Sequence, residues 1–258
     1  MAAIQLTVSA ILFDSDGTLI DSTPAVRATI SRWCAAQGVD PRAFAAAQHG
    51  TRAKDLLRRF AARPKRGCEM SEEELDAAVE ELESEVGRTA AGMASEGERG
   101  IVMLPGVERM LEKLREGRAN WGVVTSATRT HACAALDAAG VTLSSLPVPV
   151  LVTGDLVKEG KPHAEPYLAG VAALQKLQPS LEAKGVLVIE DAPAGLQSGD
   201  AAGCRVLAVC TGPVAAVDVV QAAADIEGAI VARDLSSVEL VSCTPDSITL
   251  RIEPLSLS

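Results

Sequence analysis

Residues 8–19 read VSAILFDSDGTL, a largely apolar run that ends in two aspartates, Asp14 and Asp16. A short apolar run of this kind is typical of a strand that is buried on both faces, as in a parallel sheet. Two carboxylates so close together repel each other, so such a pair is usually held by a cation or serves a function. The buried strand before the pair and the Gly-Thr-Leu sequence after it make this segment a candidate active-site motif.

The rest of the chain alternates apolar runs with amphipathic segments. Further candidate strands lie at 121–124, 148–152, 186–189, 205–209 and 229–231. Helical patterns between them cover 105–115, 128–139, 165–177 and 192–202. Buried strands that alternate with helices predict an α/β fold, with a parallel sheet covered by helices on both faces.

One long segment after the first strand breaks this alternation. Residues 21–100 contain no convincing strand pattern, and Ser71 and Glu74 form a capping-box signature at the start of a long helix. Nine acidic residues lie between Glu69 and Glu85, and we expect them to form the solvated face of that helix. A helical insertion at the carboxyl end of a strand would cover the ligand-binding edge of the sheet, as a lid does.

Three more polar segments follow candidate strands. Thr125 and Ser126 end one apolar run, and by themselves would more often be a helix N-cap pair. Lys161 precedes a proline, so it lies outside a helix, either as a solvated loop residue or as a phosphate partner. Glu190 and Asp191 form a second acidic pair, which favours a hard cation such as Mg²⁺ near the first pair.

Composition excludes several classes of function. The 258 residues carry a net charge of −10 and only 2% aromatic residues, which disfavours nucleic acids and anionic membranes as partners. No apolar run approaches the roughly 20 residues that a membrane-spanning helix needs. The six cysteines form no CxxC motif and fit small buried residues in a reducing compartment, so we expect a cytoplasmic, monomeric protein.

In this order and at strand ends, the four polar segments resemble those of the haloacid-dehalogenase-like phosphohydrolases, over about residues 8–232. The resemblance implies a Rossmann-like three-layer core with a parallel sheet, plus an all-helical cap inserted after the first strand. It places the core at residues 1–20 and 101–258 and the cap at residues 21–100.

The resemblance also implies a role for each acidic residue. Asp14 would be the nucleophile that forms an aspartyl-phosphate, and Asp16 would be the general acid and then the general base. True dehalogenases lack a carboxylate at the position of Asp16, so the implied activity is that of a phosphatase. The acidic residues implied to hold Mg²⁺ are Asp14, Asp16, Glu190 and Asp191.

Phosphate binding is implied for Thr125, Ser126 and Lys161. Within the family, the segments LIDSTPAV, HGTRAKD and GKPHAEPY resemble those of the fungal glycerol-phosphate and 2-deoxyglucose-6-phosphate phosphatases. The second of these segments contains His49 and Arg52, which are candidates to bind the phosphate or the sugar hydroxyls of a substrate from the cap.

The predicted function is therefore Mg²⁺-dependent hydrolysis of a small sugar or polyol phosphate. A phosphomutase would keep the same residues, but it would hold a bisphosphate and exclude water. A binding protein without catalytic activity is the third possibility, and it is disfavoured because such proteins usually lose one of the two aspartates.

Overall fold

The computed structural model describes residues 2–48, 51–60, 70–141 and 148–255. Its strands are β1 (Ile4–Val8), β2 (Ala10–Phe13), β3 (Ile20–Asp21), β4 (Val102–Met103), β5 (Asn120–Val124), β6 (Leu151–Val152), β7 (Val186–Glu190), β8 (Arg205–Val209), β9 (Ile230–Ala232), β10 (Val238–Thr244) and β11 (Ser247–Ile252). Its α-helices are α1 (Thr23–Gln37), α2 (Pro41–Gln48), α3 (Ala53–Phe60), α4 (Glu72–Ser95), α5 (Val107–Glu116), α6 (Arg129–Ala138), α7 (Glu165–Gln175), α8 (Pro193–Ala201) and α9 (Ala216–Ala224).

Six strands form a parallel sheet in the order β6-β5-β2-β7-β8-β9. The chain starts this sheet at its centre, in β2, and later strands add on both sides. The strand order therefore reverses at β2, which creates the crevice at the carboxyl ends where α/β proteins bind ligands.

Helices cover both faces of the sheet because successive strand residues point to opposite sides. Leu12 and Val188 pack on one side with residues of α7, such as Leu174. Phe13 and Ile189 pack on the other side with residues of α5 and α6. The predicted three-layer α/β core with a parallel sheet is confirmed.

A second, three-stranded antiparallel sheet has the order β1-β11-β10 and packs on the side of the core that carries α5. The apolar run that begins at Val8 was predicted to be one strand, and this prediction is wrong. Ser9 separates β1 from β2, and its backbone N–H donates to the carbonyl of Gly185 (2.7 Å). The residues near the carboxyl terminus form the β10–β11 hairpin of this sheet.

The segment inserted after β2 contains α1, α2, α3 and α4, and these helices share an apolar cluster that includes Ile30, Phe44, Leu57 and Leu82. The predicted helical cap is thus confirmed over the part of this segment that the structure describes. The capping box of α4 is present, since Ser71 Oγ accepts from Glu74 N and Glu74 accepts from Ser71 N. The assignment of residues 21–100 as a separate domain stays a prediction.

The cap is connected to the core through a short ribbon. Strands β3 and β4 are antiparallel, and Ile20 pairs with Met103 while Asp21 pairs with Val102. The chain therefore enters and leaves the cap at neighbouring points. Across the described part of the chain, every helix is too short or too polar to cross a membrane.

Candidate active site

Strand register brings the polar strand ends together. Phe13 of β2 pairs with Val123 of β5 on one side and with Ile189 of β7 on the other. The residues that follow, among them Asp14 and Glu190, therefore emerge at one edge of the sheet. The backbone N–H of Asp14 donates to the Ile189 carbonyl (3.0 Å), which continues the ladder to the site itself.

Lys161 lies at the base of the site and is buried, although it comes from the irregular segment before α7. Its Nζ donates to Asp14 Oδ1 (2.7 Å), Glu190 Oε1 (2.6 Å) and the carbonyl of Val124 (3.0 Å). The three ammonium hydrogens thus have three acceptors, so the side chain is held in one position. The structure brings Lys161 and Asp14 together, as the sequence predicts for a phosphate-binding cation next to a nucleophile.

The charges at this base alter one another's protonation. Burial, followed by the negative charge of Glu190, raises the pKa of Asp14 to about 7, although Lys161 opposes this shift. Burial lowers the pKa of Lys161, but the negative charges of Asp14 and Glu190 outweigh it and raise the pKa above its usual value. Burial and the charges of Asp14 and Glu190 also raise the pKa of Asp191. The site therefore has more buried negative charge than Lys161 alone balances.

Tyr167 is a site residue that sequence reasoning missed. Its ring is fully buried, its hydroxyl donates to Glu190 Oε1 (2.7 Å), and Lys161 Nζ lies 5.1 Å from the ring centroid. The backbone N–H groups of Asp191 and Ala192 donate to Glu190 Oε2. Both oxygens of Glu190 are thus engaged by the protein, and this carboxylate orients Lys161. The available signal was that Tyr167 is the single tyrosine of the chain and follows the Lys161 segment closely.

Three carboxylates form a group that can hold a cation. Oxygens of Asp14, Glu190 and Asp191 lie within 4.8 Å of one another, and all three residues are buried. Gly17 has φ of +95°, and a Cβ there would lie 2.1 Å from Asp191 Oδ2, so this close approach needs glycine. Oxygen donors and excess negative charge fit a hard divalent ion. Asp16, also predicted as a metal ligand, lies outside this group.

Asp16 is half-buried at the mouth of the site and lines the cavity described below. Its Oδ1 accepts a hydrogen bond from Ser22 Oγ (2.5 Å), and Ser22 is the residue before the first turn of α1. A side chain from the start of the cap therefore orients this carboxylate of the core.

A cavity of about 390 Å³ separates the sheet edge from the cap. Of the predicted site residues, Asp14, Asp16, Thr125, Ser126 and Asp191 line it. The cap contributes mainly apolar walls, formed by Val26, Ile30, Phe44, Leu56, Leu82 and Val86. Thr125 is buried, and its Oγ1 accepts from the backbone N–H of Ala127 (3.2 Å), which shapes the turn before α6.

The cap residues predicted to contact substrate are placed differently. Arg52 is not among the described residues that line the cavity. Its guanidinium instead donates to both carboxylate oxygens of Asp55 and to the carbonyls of Val157 and Lys158 (2.9 Å each). Arg52 thus links the cap to the segment that carries Lys161. His49 lies outside the described residues.

One cavity residue departs from the expectation of a solvated surface. Glu83 belongs to the acidic stretch of α4 that was predicted to face solvent, but it is half-buried and lines the cavity. Its carboxylate accepts from the backbone N–H of Thr128 (3.2 Å) and from the Thr128 hydroxyl. His131, three residues after Thr128, is also half-buried and lines the cavity. The missed signal is that Glu83 follows Val79 by four residues and so lies on the buried stripe of α4.

Comparison of the sequence with those of known proteins shows the family to which it is related. A model of haloacid dehalogenase-like hydrolases matches residues 11–209. Hexitol phosphatase A of Escherichia coli is 40% identical over 77% of this chain and 81% of its own length. Glycerol-1-phosphate phosphohydrolase 2 of Saccharomyces cerevisiae is 34% identical over 81% of this chain and 77% of its own length. The resemblance to fungal glycerol-phosphate phosphatases is confirmed.

A solved structure of a related protein shares the fold. A putative β-phosphoglucomutase from Bacteroides vulgatus superposes with a TM-score of 0.67 at 26% identity, over 88% of this chain and 84% of that one. The strand-end carboxylates, the buried lysine and the inserted cap all occur within the matched residues 11–209. The chain belongs to the haloacid dehalogenase-like hydrolase family.

Proposed function

We propose that this protein is a Mg²⁺-dependent phosphatase that hydrolyses a small sugar or polyol phosphate through an aspartyl-phosphate on Asp14. The observation that carries the proposal is the buried pair of Asp14 and Lys161 (2.7 Å) at the base of a cavity that Asp16 also lines. This arrangement offers a nucleophile, a cation for the phosphoryl oxygens and a separate proton donor within one enclosed space.

In the first step, a carboxylate oxygen of Asp14 attacks phosphorus, and the bond from phosphorus to the substrate oxygen breaks. Because Lys161 binds Asp14 Oδ1, the other oxygen, Oδ2, is the one assigned to the attack. The Thr125 hydroxyl and the turn that follows it lie where they can donate to the transferring phosphoryl group.

Asp16 protonates the departing alkoxide, which leaves Asp16 ionised for the second step. It then takes a proton from the water that attacks the aspartyl-phosphate, and phosphate is released as Asp14 is regenerated. The hydrogen bond from Ser22 holds Oδ1 of Asp16, so its Oδ2 is free to exchange the proton. Since Ser22 precedes α1, the position of this proton donor depends on the cap.

Asp14 and Asp191 are the residues we assign to holding Mg²⁺, with Glu190 close by but engaged with Lys161 and Tyr167. The bound ion would neutralise phosphoryl oxygens and the carboxylate of Asp14, which otherwise repel each other. The raised pKa values of Asp14 and Asp191 support this assignment, because they reflect carboxylates that lack enough positive charge nearby.

The substrate class follows from the cavity and the relatives. The relatives described above are named as phosphatases of hexitol phosphate and glycerol-1-phosphate. A cavity of about 390 Å³ is of the size that small-molecule sites have. We therefore propose a phosphorylated sugar or polyol as substrate, with a cytoplasmic location and a monomeric state as further expectations.

A phosphomutase is the second candidate, because a putative β-phosphoglucomutase shares the fold at 26% identity. A mutase would need a sugar bisphosphate to start its cycle and would return a phosphorylated sugar. A hydrolase releases inorganic phosphate from a monophosphate alone, so phosphate release without added bisphosphate separates the two candidates.

The direct test is phosphate release from a panel of hexitol, hexose and glycerol phosphates, with and without Mg²⁺. We expect metal-dependent release by the wild type and a loss of at least about 10³-fold in Asp14→Asn, because the nucleophile is removed. An exposed acidic residue of the cap, Glu81, provides the matched control, and Glu81→Gln should keep full activity. If a folded, Mg²⁺-loaded wild type releases no phosphate from any member, the phosphatase proposal is wrong.

A further inference from the structure

We propose that Glu83 is the residue that recognises the hydroxyl groups of the substrate, which makes the preferred substrates polyhydroxylated monophosphates. This inference rests on the proposed phosphatase function and assigns the part of the same cavity beside Thr128. It concerns a residue in the acidic stretch of the cap whose sequence pattern otherwise predicts a solvated surface.

The position of Glu83 distinguishes it from its neighbours on α4. Glu80 and Glu81 are exposed, whereas Glu83 is half-buried and lines the cavity. Leu82 and Val86 of the same helix line the cavity as well. Among the described residues, Glu83 is thus the acidic group that α4 adds to the mainly apolar cap wall of this cavity.

The contacts of Glu83 hold its carboxylate but leave part of it available. Oε1 accepts from the Thr128 backbone N–H and Oε2 accepts from the Thr128 hydroxyl. Two carboxylate oxygens can accept about four hydrogen bonds, so acceptor positions remain on the cavity side. Among the described residues, no lysine or arginine forms an ion pair with Glu83.

A half-buried carboxylate without a cationic partner is costly unless donors satisfy it. Burial raises the pKa of Glu83, although the Thr128 hydroxyl and the charge of His131 oppose this shift. Hydroxyl groups of a sugar or polyol are donors of the required kind. The apolar walls, including Ile30 and Phe44, would contact the carbon chain between those hydroxyls and the phosphate.

The same carboxylate disfavours a second phosphate beside Glu83, because two anions would face each other in a partly enclosed space. Arg27 is the only lysine or arginine among the described residues of the cavity wall, and it is exposed to solvent, where its charge is screened. The part of the cavity beside Glu83 is therefore better matched to neutral hydroxyls than to the second phosphate of a bisphosphate.

The experiment compares kcat/KM for a hexitol phosphate with kcat/KM for ethyl phosphate, which has no hydroxyl group for Glu83 to bind. In Glu83→Ala, we expect the ratio of the two to fall by about ten- to a hundredfold, because hydrogen bonds to a charged group are lost. The fall should appear mainly in KM for the hexitol phosphate. Glu83→Gln keeps the shape and a bond to Thr128, and should lower the ratio less.

Glu81→Ala on the same helix is the matched control and should leave the ratio unchanged. If Glu83→Ala lowers activity on both substrates equally, Glu83 serves only to fasten the cap to Thr128, and the recognition proposal is wrong. If the wild type hydrolyses neither substrate, the proposed function fails instead. Calorimetric binding of both compounds to the wild type and Glu83→Ala then decides: a preference lost in the variant supports recognition, and an unchanged preference or no binding contradicts it.

Discussion

The carboxyl edge of the central sheet and the helical cap line the same cavity, but their polar side chains are held in different ways. At the sheet edge, Lys161 is buried and bonds two carboxylates and one carbonyl. On the cap, Glu83 is half-buried and bonds a single residue of the core, Thr128. The polar group at the sheet edge is therefore held by several mutual contacts, whereas Glu83 is held by one residue of the core.

This difference separates two properties of the enzyme. Removing Lys161 leaves the carboxylates of Asp14 and Glu190 buried without their cation, so this group tolerates little change at its centre. Arg52 binds the Val157 carbonyl from the cap, and its ion-pair partner Asp55 also binds Arg58, so the loss of Arg52 leaves no carboxylate without a cation. We expect substitutions at the sheet edge to affect stability and catalysis together, and substitutions in the cap to affect substrate choice or efficiency.

The largest effect should come from Lys161→Met. This change leaves the carboxylates of Asp14 and Glu190 buried and close together without their cation. Breaking a buried ion pair in this way should lower the free energy of unfolding by about 3–5 kcal/mol, measured by urea unfolding. Phosphate release should also be lost, because the proposed mechanism needs the positive charge of Lys161 beside the phosphoryl oxygens.

The control for this variant is Lys184→Met. Lys184 and Glu182 form an ion pair of similar length (2.7 Å), but both side chains are exposed. We expect no measurable change in stability or activity there, since exposed pairs contribute little. A Lys161→Met protein as stable as the wild type would show that the buried ion pairs of Lys161 do not contribute to the free energy of unfolding.

A smaller effect concerns Mg²⁺ and pH. The ordinary pKa of aspartate is 3.8, and in the folded protein that of Asp14 is raised to about 7. Between these pH values Asp14 is protonated in the folded state and ionised in the unfolded state. The free energy of unfolding therefore falls as pH rises from 3.8 to about 7. Mg²⁺ can replace the proton, and saturating Mg²⁺ should raise Tm by roughly 3–8 °C at pH 8 and by much less at pH 5.5.

Thermal unfolding across this pH range, with and without Mg²⁺, measures the effect. In Asp191→Asn the increase at pH 8 should be strongly reduced, because one of the proposed ligands is removed. A Mg²⁺ effect that is independent of pH, or unchanged in Asp191→Asn, would contradict a metal site at the sheet edge.

The smallest effect belongs to the cap. Arg52→Met removes the hydrogen bonds to the carbonyls of Val157 and Lys158, which precede Lys161 in the chain. We expect kcat/KM to fall by roughly three- to tenfold for hydroxylated and hydroxyl-free phosphates alike, as the loss of one or two hydrogen bonds would give. Steady-state kinetics on both substrates measures this.

Arg58→Met is the matched control on the same helix, because Arg58 is more exposed and bonds only cap residues, Asp55 and Glu72. It should leave the kinetics unchanged. A selective loss with the hydroxylated substrate in Arg52→Met would instead mean that Arg52 contacts substrate, as the sequence motif originally suggested.

The two regions also differ in how well the sequence predicts them. Asp14, Thr125 and Asp191 could be expected to meet, because each follows a buried strand and parallel strands end at the same edge. The strand break at Ser9 was missed, since the residues on both sides are apolar and only pairing with β11 reveals that they belong to different sheets. Helix α9 was missed as well.

The cap was predicted as helical, but its contribution to the cavity was not. Periodicity shows which face of a helix is buried, and by that rule Glu83 belongs to the buried face of α4. It does not show whether that face meets another helix or a cavity, because helices pack at several angles. For the same reason, the partners of Arg52, more than a hundred residues away in the chain, could not be identified from its motif.

The paired strands β3 and β4 have a consequence for how such proteins diversify. Because Ile20 lies opposite Met103, the roughly eighty residues between them begin and end at one place on the core. A segment with adjacent ends can be replaced by one of another length or sequence without moving the remaining chain, as in domain insertion. If the cap selects the substrate as proposed, substrate choice can change by exchange of this one segment, while the strand ends that carry Asp14 and Asp191 stay in place.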